Sequence, residues 1–207
     1  DQEPTEFHKI AKYGGEGVLA LLSDSTNSEN PGFAVSEKVI GQNLNSIFEQ
    51  TKGRIIISTF ASLLSRQQQI INAAVTHGRK VAISGYSLEK NIEIAVRLGY
   101  MNFSKAVFIP LKKIKDYPDN LVTVICTGAQ GQETSALGRI SKGEHRDVQI
   151  KKGDTVVLSS SPIPGNERSI QNLMNSLFRL GARVIYNKIL GIHASGHAYQ
   201  EEQKMMI

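Results

Sequence analysis

The 207-residue sequence has no tryptophan and a single cysteine, Cys126. One thiol excludes an internal disulfide, which fits a reducing compartment. Its place in the apolar run Leu121-Val-Thr-Val-Ile-Cys126 predicts a buried, inert side chain. Aromatic residues make up only 6% of the chain, and no basic strand is interleaved with them, so a base-stacking platform is not expected. No apolar run approaches the roughly 20 residues a membrane-spanning helix needs, and no signal peptide opens the sequence. The reading is therefore cytoplasmic, with no membrane partner. The common nucleotide fingerprints are missing too: there is no G-x-x-x-x-G-K-[ST], and no G-x-G-x-x-G between strand and helix.

What is present is ordinary for a soluble globular protein, with 40% hydrophobic and 21% charged residues. The length suits one large domain, or one domain with pieces of another. A net charge of +5 leans toward polyanionic partners without specifying one.

The chain repeats one grammar. Lys52-Gly53-Arg54 leads into Ile55-Ile-Ile-Ser58, His77-Gly78-Arg79-Lys80 into Val81-Ala-Ile-Ser84, and Gly181-Ala182-Arg183 into Val184-Ile-Tyr186. Each is a glycine-closed helix followed by a short apolar strand. Further strands are predicted at Val18–Leu22, Val107–Ile109, Leu121–Cys126, Asp147–Ile150 and Asp154–Leu158. Helices are predicted from Ser36, over about 62–76, over 87–98 with Ser87 as cap, over Ser135–Ser141, and after Glu167. Residues 1–17 read as a polar loop. Alternating apolar strands and helices predict an α/β fold with a mostly parallel sheet flanked by helices on both faces.

Several strands end in small polar residues, such as Ser-Asp24-Ser-Thr, Thr127-Gly128-Ala-Gln130-Gly and Ser159-Ser160-Ser161-Pro. In a parallel sheet these ends share one edge and form a crevice rich in hydroxyls and N–H groups, suited to phosphate or sugar. Gly128, Gln130, Ser160 and Ser161 are thus candidate phosphate contacts. Near the end of the chain, His193-Ala-Ser195-Gly196-His197 sets two imidazoles four residues apart around a turn. Glu201 and Glu202 follow as in a helix's first turn, which places His197 at or beside the N-cap and offers free N–H groups to a phosphate. The histidine spacing, with Ser-Gly between, does not make a metal site, and no second cluster completes one.

Leu-Leu-Ser-Asp24-Ser-Thr-Asn27, Thr59-Phe-Ala-Ser62 with Arg66-Gln67-Gln68, Pro162-Ile-Pro-Gly-Asn-Glu167 and His193-Ala-Ser-Gly-His197 together resemble the ribonuclease J family. This is the β-CASP branch of the metallo-β-lactamase superfamily. The resemblance implies a β-CASP domain at 34–190. Residues 1–33 and 191–207 would be its flanks from the metallo-β-lactamase domain. It implies a parent that acts in RNA processing and decay as a zinc-dependent 5′–3′ exo- and endoribonuclease with two zinc ions. The implied partner is single-stranded RNA with a 5′-monophosphate end, and a homo-oligomer is expected. Asp24 matches an acid that supports the metal centre. His197 matches a histidine that contacts the scissile phosphate as a general acid. His193, Ser195 and Gly196 match the turn that holds a 5′-monophosphate.

The family's H-x-H-x-D-H motif and its His-Gly-Glu histidine are not in this sequence, so no metal ligands are expected within it and the stretch alone is expected to be inactive. Two residues depart from the family pattern: Leu63 stands where asparagine is common, and Tyr86 where arginine is common. Two alternatives stay open: the β-CASP domain of a non-catalytic paralogue serving as a partner subunit, and a free-standing nucleotide- or sugar-phosphate-binding α/β protein.

Overall fold

The structure, a computed structural model, describes residues 5–187 and 189–207. The chain divides into two compact units. The larger spans Ile40–His193; the smaller joins the N-terminal stretch up to Val39 with Ala194–Ile207.

The larger unit is built on five strands: β1 (Ile55–Ser58), β2 (Lys80–Ser84), β3 (Val122–Cys126), β4 (Thr155–Leu158) and β5 (Arg183–Tyr186). Their order is β2-β3-β1-β4-β5, and every pairing is parallel. Because both faces of such a sheet are covered, its strands read as continuous apolar runs rather than alternating ones. The register sets Ala82, Val124, Ile56, Val156 and Val184 side by side in one row. That row packs with Leu137 and Ile140 of α5 (Ala136–Ser141) and with Ile170, Leu173, Met174 and Leu177 of α6 (Glu167–Arg179).

The next row, Ile83, Ile125, Ile57, Val157 and Ile185, points to the opposite face by strand alternation. The remaining helices are α2 (Glu37–Gln50), α3 (Leu64–Thr76) and α4 (Tyr86–Arg97). They bury Leu44, Phe48, Ile70, Ile71, Leu88 and Ile92 outside the first core cluster. The expected parallel α/β architecture with helices on both faces is therefore what the chain forms.

Five details differ from the sequence expectation. Val18–Leu22 is not a strand, and Leu19 and Leu22 are fully exposed; no described strand lies beside it to complete a ladder. Residues Phe7–Glu16 form α1 instead of a loop, with Phe7, Ile10 and Ala11 at helical spacing. Asp147–Ile150 is irregular, because the backbone N–H groups of Asp147 and Val148 turn to His145 rather than to a strand. Of Val107–Ile109 only an isolated bridge from Phe108 to Val81 remains. Helix α4 starts at Tyr86, with Gly85 at its N-cap at φ +146°, so Ser87 lies inside the first turn and not at the cap.

The strand order positions the crevice. From β1 the chain leaves to α3 on one face, whereas from the neighbours β3 and β4 it leaves to α5 and α6 on the other. Loops that part in this way open a gap beyond the carboxyl ends of the strands.

Candidate functional site

In the smaller unit, Asp24, Ser195, Gly196 and His197 come together although some 170 residues of chain separate them. Asp24 closes a tight turn: its Oδ1 accepts from the Thr26 N–H at 3.1 Å and from the Thr26 hydroxyl at 2.7 Å. Its Oδ2 lies 3.0 Å from His197 Nδ1. The Thr26 hydroxyl above all, then the Thr26 N–H, and lastly His197 hold this carboxyl below its ordinary value, against the opposing effect of burial. An ionised Asp24 favours the tautomer with a proton on Nδ1, which leaves the lone pair of the neutral ring on His197 Nε2.

Ser195 Oγ accepts from Asn27 Nδ2 at 2.8 Å and from the His197 N–H at 3.1 Å, which leaves its own proton to donate. Asn27 also reaches the His197 carbonyl at 3.3 Å. Gly196 is exposed at the crest of this turn.

His197 is not a helix cap. Helix α7 (Gln200–Lys204) begins after Tyr199, whose N–H donates to Glu202 Oε2 at 2.7 Å. The first helical N–H groups do not wait for a phosphate either. Gln200 donates to the Asn30 carbonyl at 3.0 Å and Glu201 to the Gly32 carbonyl at 3.1 Å. The expected anion site at this helix N-terminus is thus taken up by the chain itself.

In the larger unit the exits of β1, β3, β4 and β5 meet at one end of the sheet. Ser58 Oγ and Thr59 Oγ1, at the end of β1, are buried with no hydrogen-bonding partner among the described residues. Unmet buried hydroxyls at a sheet edge mark a place for a polar ligand or water. The 192–193 peptide is pinned beside them. The Ile192 carbonyl accepts from Arg66 Nη1 at 2.5 Å and from Ser159 Oγ at 2.6 Å. Asn187 Oδ1 accepts both the Ile192 and His193 N–H groups at 3.2 Å. This sets the His193 ring edge-on to Phe60, with centroids 6.2 Å apart.

The other candidates here divide by role. Gln130 is buried and its amide is fully engaged, donating to Ser161 O at 2.8 Å and Ser160 Oγ at 3.3 Å while accepting from the Ile163 N–H at 2.8 Å. It ties the β3 exit to the β4 exit. The Ser160 hydroxyl donates to the Ala129 carbonyl at 3.1 Å, and the Ser161 hydroxyl accepts from Asn187 at 3.4 Å. Gly128 sits at φ +110°, and a Cβ there would fall 2.1 Å from Ser135 Oγ, so no other residue fits. Sequence reasoning did not single out Asn187 or Ser159, whose signal was only a polar residue after an apolar strand. It placed Arg66 in the family pattern without a role; the residue is wholly buried and holds the turn that carries His193.

The fold and these two clusters define a parallel α/β domain with a cluster of polar side chains at the strand ends and, in the smaller unit, an aspartate-bound histidine. The family profile described as ribonuclease J, beta-CASP domain, matches residues 52–177, and the chain belongs to that family. It is 47% identical over 205 residues to Ribonuclease J 1 of Streptococcus pyogenes, covering 99% of this chain and 37% of the relative. It is 46% identical over 207 residues to Ribonuclease J of Synechocystis, covering 100% of this chain and 32% of the relative. Against Ribonuclease J of Thermus thermophilus it is 44% identical over 207 residues, covering 100% and 36%. The chain thus spans about a third of the length of these relatives. No described helix is long and apolar enough to cross a membrane.

Proposed function

We propose that the protein carrying this chain is a zinc-dependent RNA phosphodiesterase that acts on single-stranded RNA in the cytoplasm. It trims from a 5′-monophosphate end and also cuts internally, as a homo-oligomer. The observation that carries the reading is the Asp24–His197 pair, Nδ1 to Oδ2 at 3.0 Å. An imidazole held on Nδ1 by an ionised carboxylate presents Nε2 at a fixed angle. When protonated, it can deliver that proton to the oxygen leaving phosphorus, and a positioned acid of this kind contributes about 10²–10⁴ in rate. Ser195, with its hydroxyl proton uncommitted, and the exposed Gly196 N–H are suited to a phosphate oxygen beside it.

In the larger unit, His193, Ser160, Ser161 and Gly128 line the polar crevice proposed to hold RNA phosphates, with Gln130 keeping its two loops in register. Among the described residues no three His, Cys, Asp or Glu side chains converge. Asp24 and His197 alone do not build a zinc centre, and the proposal draws the zinc ligands from other parts of the parent.

The test is cleavage of 5′-labelled single-stranded RNA by the full-length parent. Stepwise shortening of 5′-monophosphorylated RNA, lost on chelation and restored by zinc, is expected. A zinc-loaded parent that degrades no RNA would instead favour a non-catalytic partner subunit.

A further inference from the structure

The opposite edge of the same sheet, where the strands begin, carries a second feature. The entries to β1, β4 and β5 are interlocked there. A Cβ on Gly53 would lie 2.3 Å from the Gly153 carbonyl oxygen, so the turns before β1 and β4 meet backbone to backbone. Beneath them Arg54 and Asp154, both buried, form a forked ion pair, Nε to Oδ1 at 2.9 Å and Nη2 to Oδ2 at 2.5 Å. The Thr155 N–H donates to the Arg54 carbonyl and the Arg183 N–H to the Asp154 carbonyl, each at 2.9 Å.

On this rigid base lies a hollow of about 470 Å³. Both acids beside it are already engaged, Asp154 by Arg54 and Asp119 by Lys151 at 2.8 Å. Lys52, Lys152 and Arg183 are exposed around it and have no ion pair among the described residues. Three like charges around one hollow favour an anion there.

We propose that this hollow is a second binding site for the phosphodiester backbone of RNA, reached by substrate that extends beyond the crevice; the proposal rests on the RNA reading above. Its lining decides the class of partner. No apolar or aromatic side chain is among the residues that line it. A protein partner would need apolar anchors at its centre, and base readout would need a stacking ring. Cations on a fixed backbone are suited to phosphates, which they bind without regard to sequence. Strands of four or five residues separate this edge from the crevice by about 15 Å, so only a long RNA reaches both.

The experiment measures the affinity of the full-length parent for a short and a long oligouridylate across a salt series, in the wild type and in K52Q/K152Q/R183Q. For the long RNA, the slope of log affinity against log salt should shrink by about 2, because each lost phosphate contact removes about 0.7. The short RNA should bind the variant as it binds the wild type, and K52R/K152R/R183K should restore the long-RNA slope. An unchanged slope for the long RNA overturns the proposal, as does an equal loss for both RNAs or a failure of the charge-retaining variant to restore it. Failure of the wild type to bind the short RNA would instead count against the crevice reading.

Discussion

Removing Asp154 tests the physical account of how the sheet is locked. The carboxylate and Arg54 are both almost fully buried, joined by two hydrogen bonds, and Asp154 Oδ2 also accepts the Lys151 N–H at 2.7 Å. In Asp154→Ala the guanidinium stays in the protein interior without its counter-charge. Among the described residues it keeps the Gln149 carbonyl, at 2.5 Å, as its one neutral partner. Stranding one member of a buried pair costs about 3–5 kcal/mol, whereas replacing both by apolar groups of similar size is often close to neutral.

A domain of this size loses about 2–4 °C in Tm per kcal/mol, so Asp154→Ala should melt about 6–20 °C lower. The double variant Arg54→Met/Asp154→Leu should be the more stable of the two. It still forfeits the bonds to the Gln149 carbonyl and the Lys151 N–H, at about 1 kcal/mol each. Urea denaturation followed by circular dichroism of wild type, Arg54→Met, Asp154→Leu and the double variant gives the coupling energy directly. A single variant within about 1 kcal/mol of wild type would refute the reasoning, since it would mean the guanidinium is solvated or finds another acid.

Three further outcomes are expected. His145 is buried, accepts the Asp147 and Val148 N–H groups on Nδ1 at 3.2 and 3.1 Å, and donates from Nε2 to Ser84 at 2.9 Å, so protonation breaks its turn. Burial first, then the charge of Arg139, lowers its pKa from 6.5, against Asp147. The unfolded chain therefore takes up the proton first, and stability should fall as pH drops below 6.5, by at most about 1.4 kcal/mol per pH unit; it should not fall there in His145→Gln. Leu63 precedes α3 without a side-chain cap, so Leu63→Asn should stabilise by roughly 1 kcal/mol in denaturant titration, and no gain would show that the cap geometry is not reached. Tyr86 is exposed at the end of β2, and Tyr86→Arg in the parent should steepen the salt dependence of single-stranded RNA binding by about 0.7, an unchanged slope placing it outside the RNA path.

The sheet was legible because each strand of the larger unit is an apolar run, four of the five entered from a glycine turn and all followed by polar residues. Buried parallel strands need nothing more to announce themselves. Val18–Leu22 shows the limit of that signal: an apolar run states that it wants cover, not where the cover is. Asp147–Ile150 shows another limit, since one buried histidine takes the N–H groups a strand would have used. The pattern named the candidate site residues, but not what each of them contacts. Gln130 looked like a ligand and is a tie between loops, because a buried amide satisfies itself from whatever backbone is near. Asn187 and Arg66 had no local mark. Their roles arise from the Ile192–His193 peptide, which lies near Asn187 in sequence but far from Arg66.

His197 carries the central claim, and one substitution tests it most directly. In the full-length parent, His197→Asn keeps a polar side chain that can still hydrogen-bond Asp24, so folding and zinc content should be retained. If the imidazole delivers a proton to the leaving oxygen, the turnover rate should fall by about a hundredfold or more. RNA affinity should change little, because many other contacts supply it. A His197→Asn parent that degrades RNA at near wild-type rate would contradict the account and leave this histidine as part of the turn around Asp24.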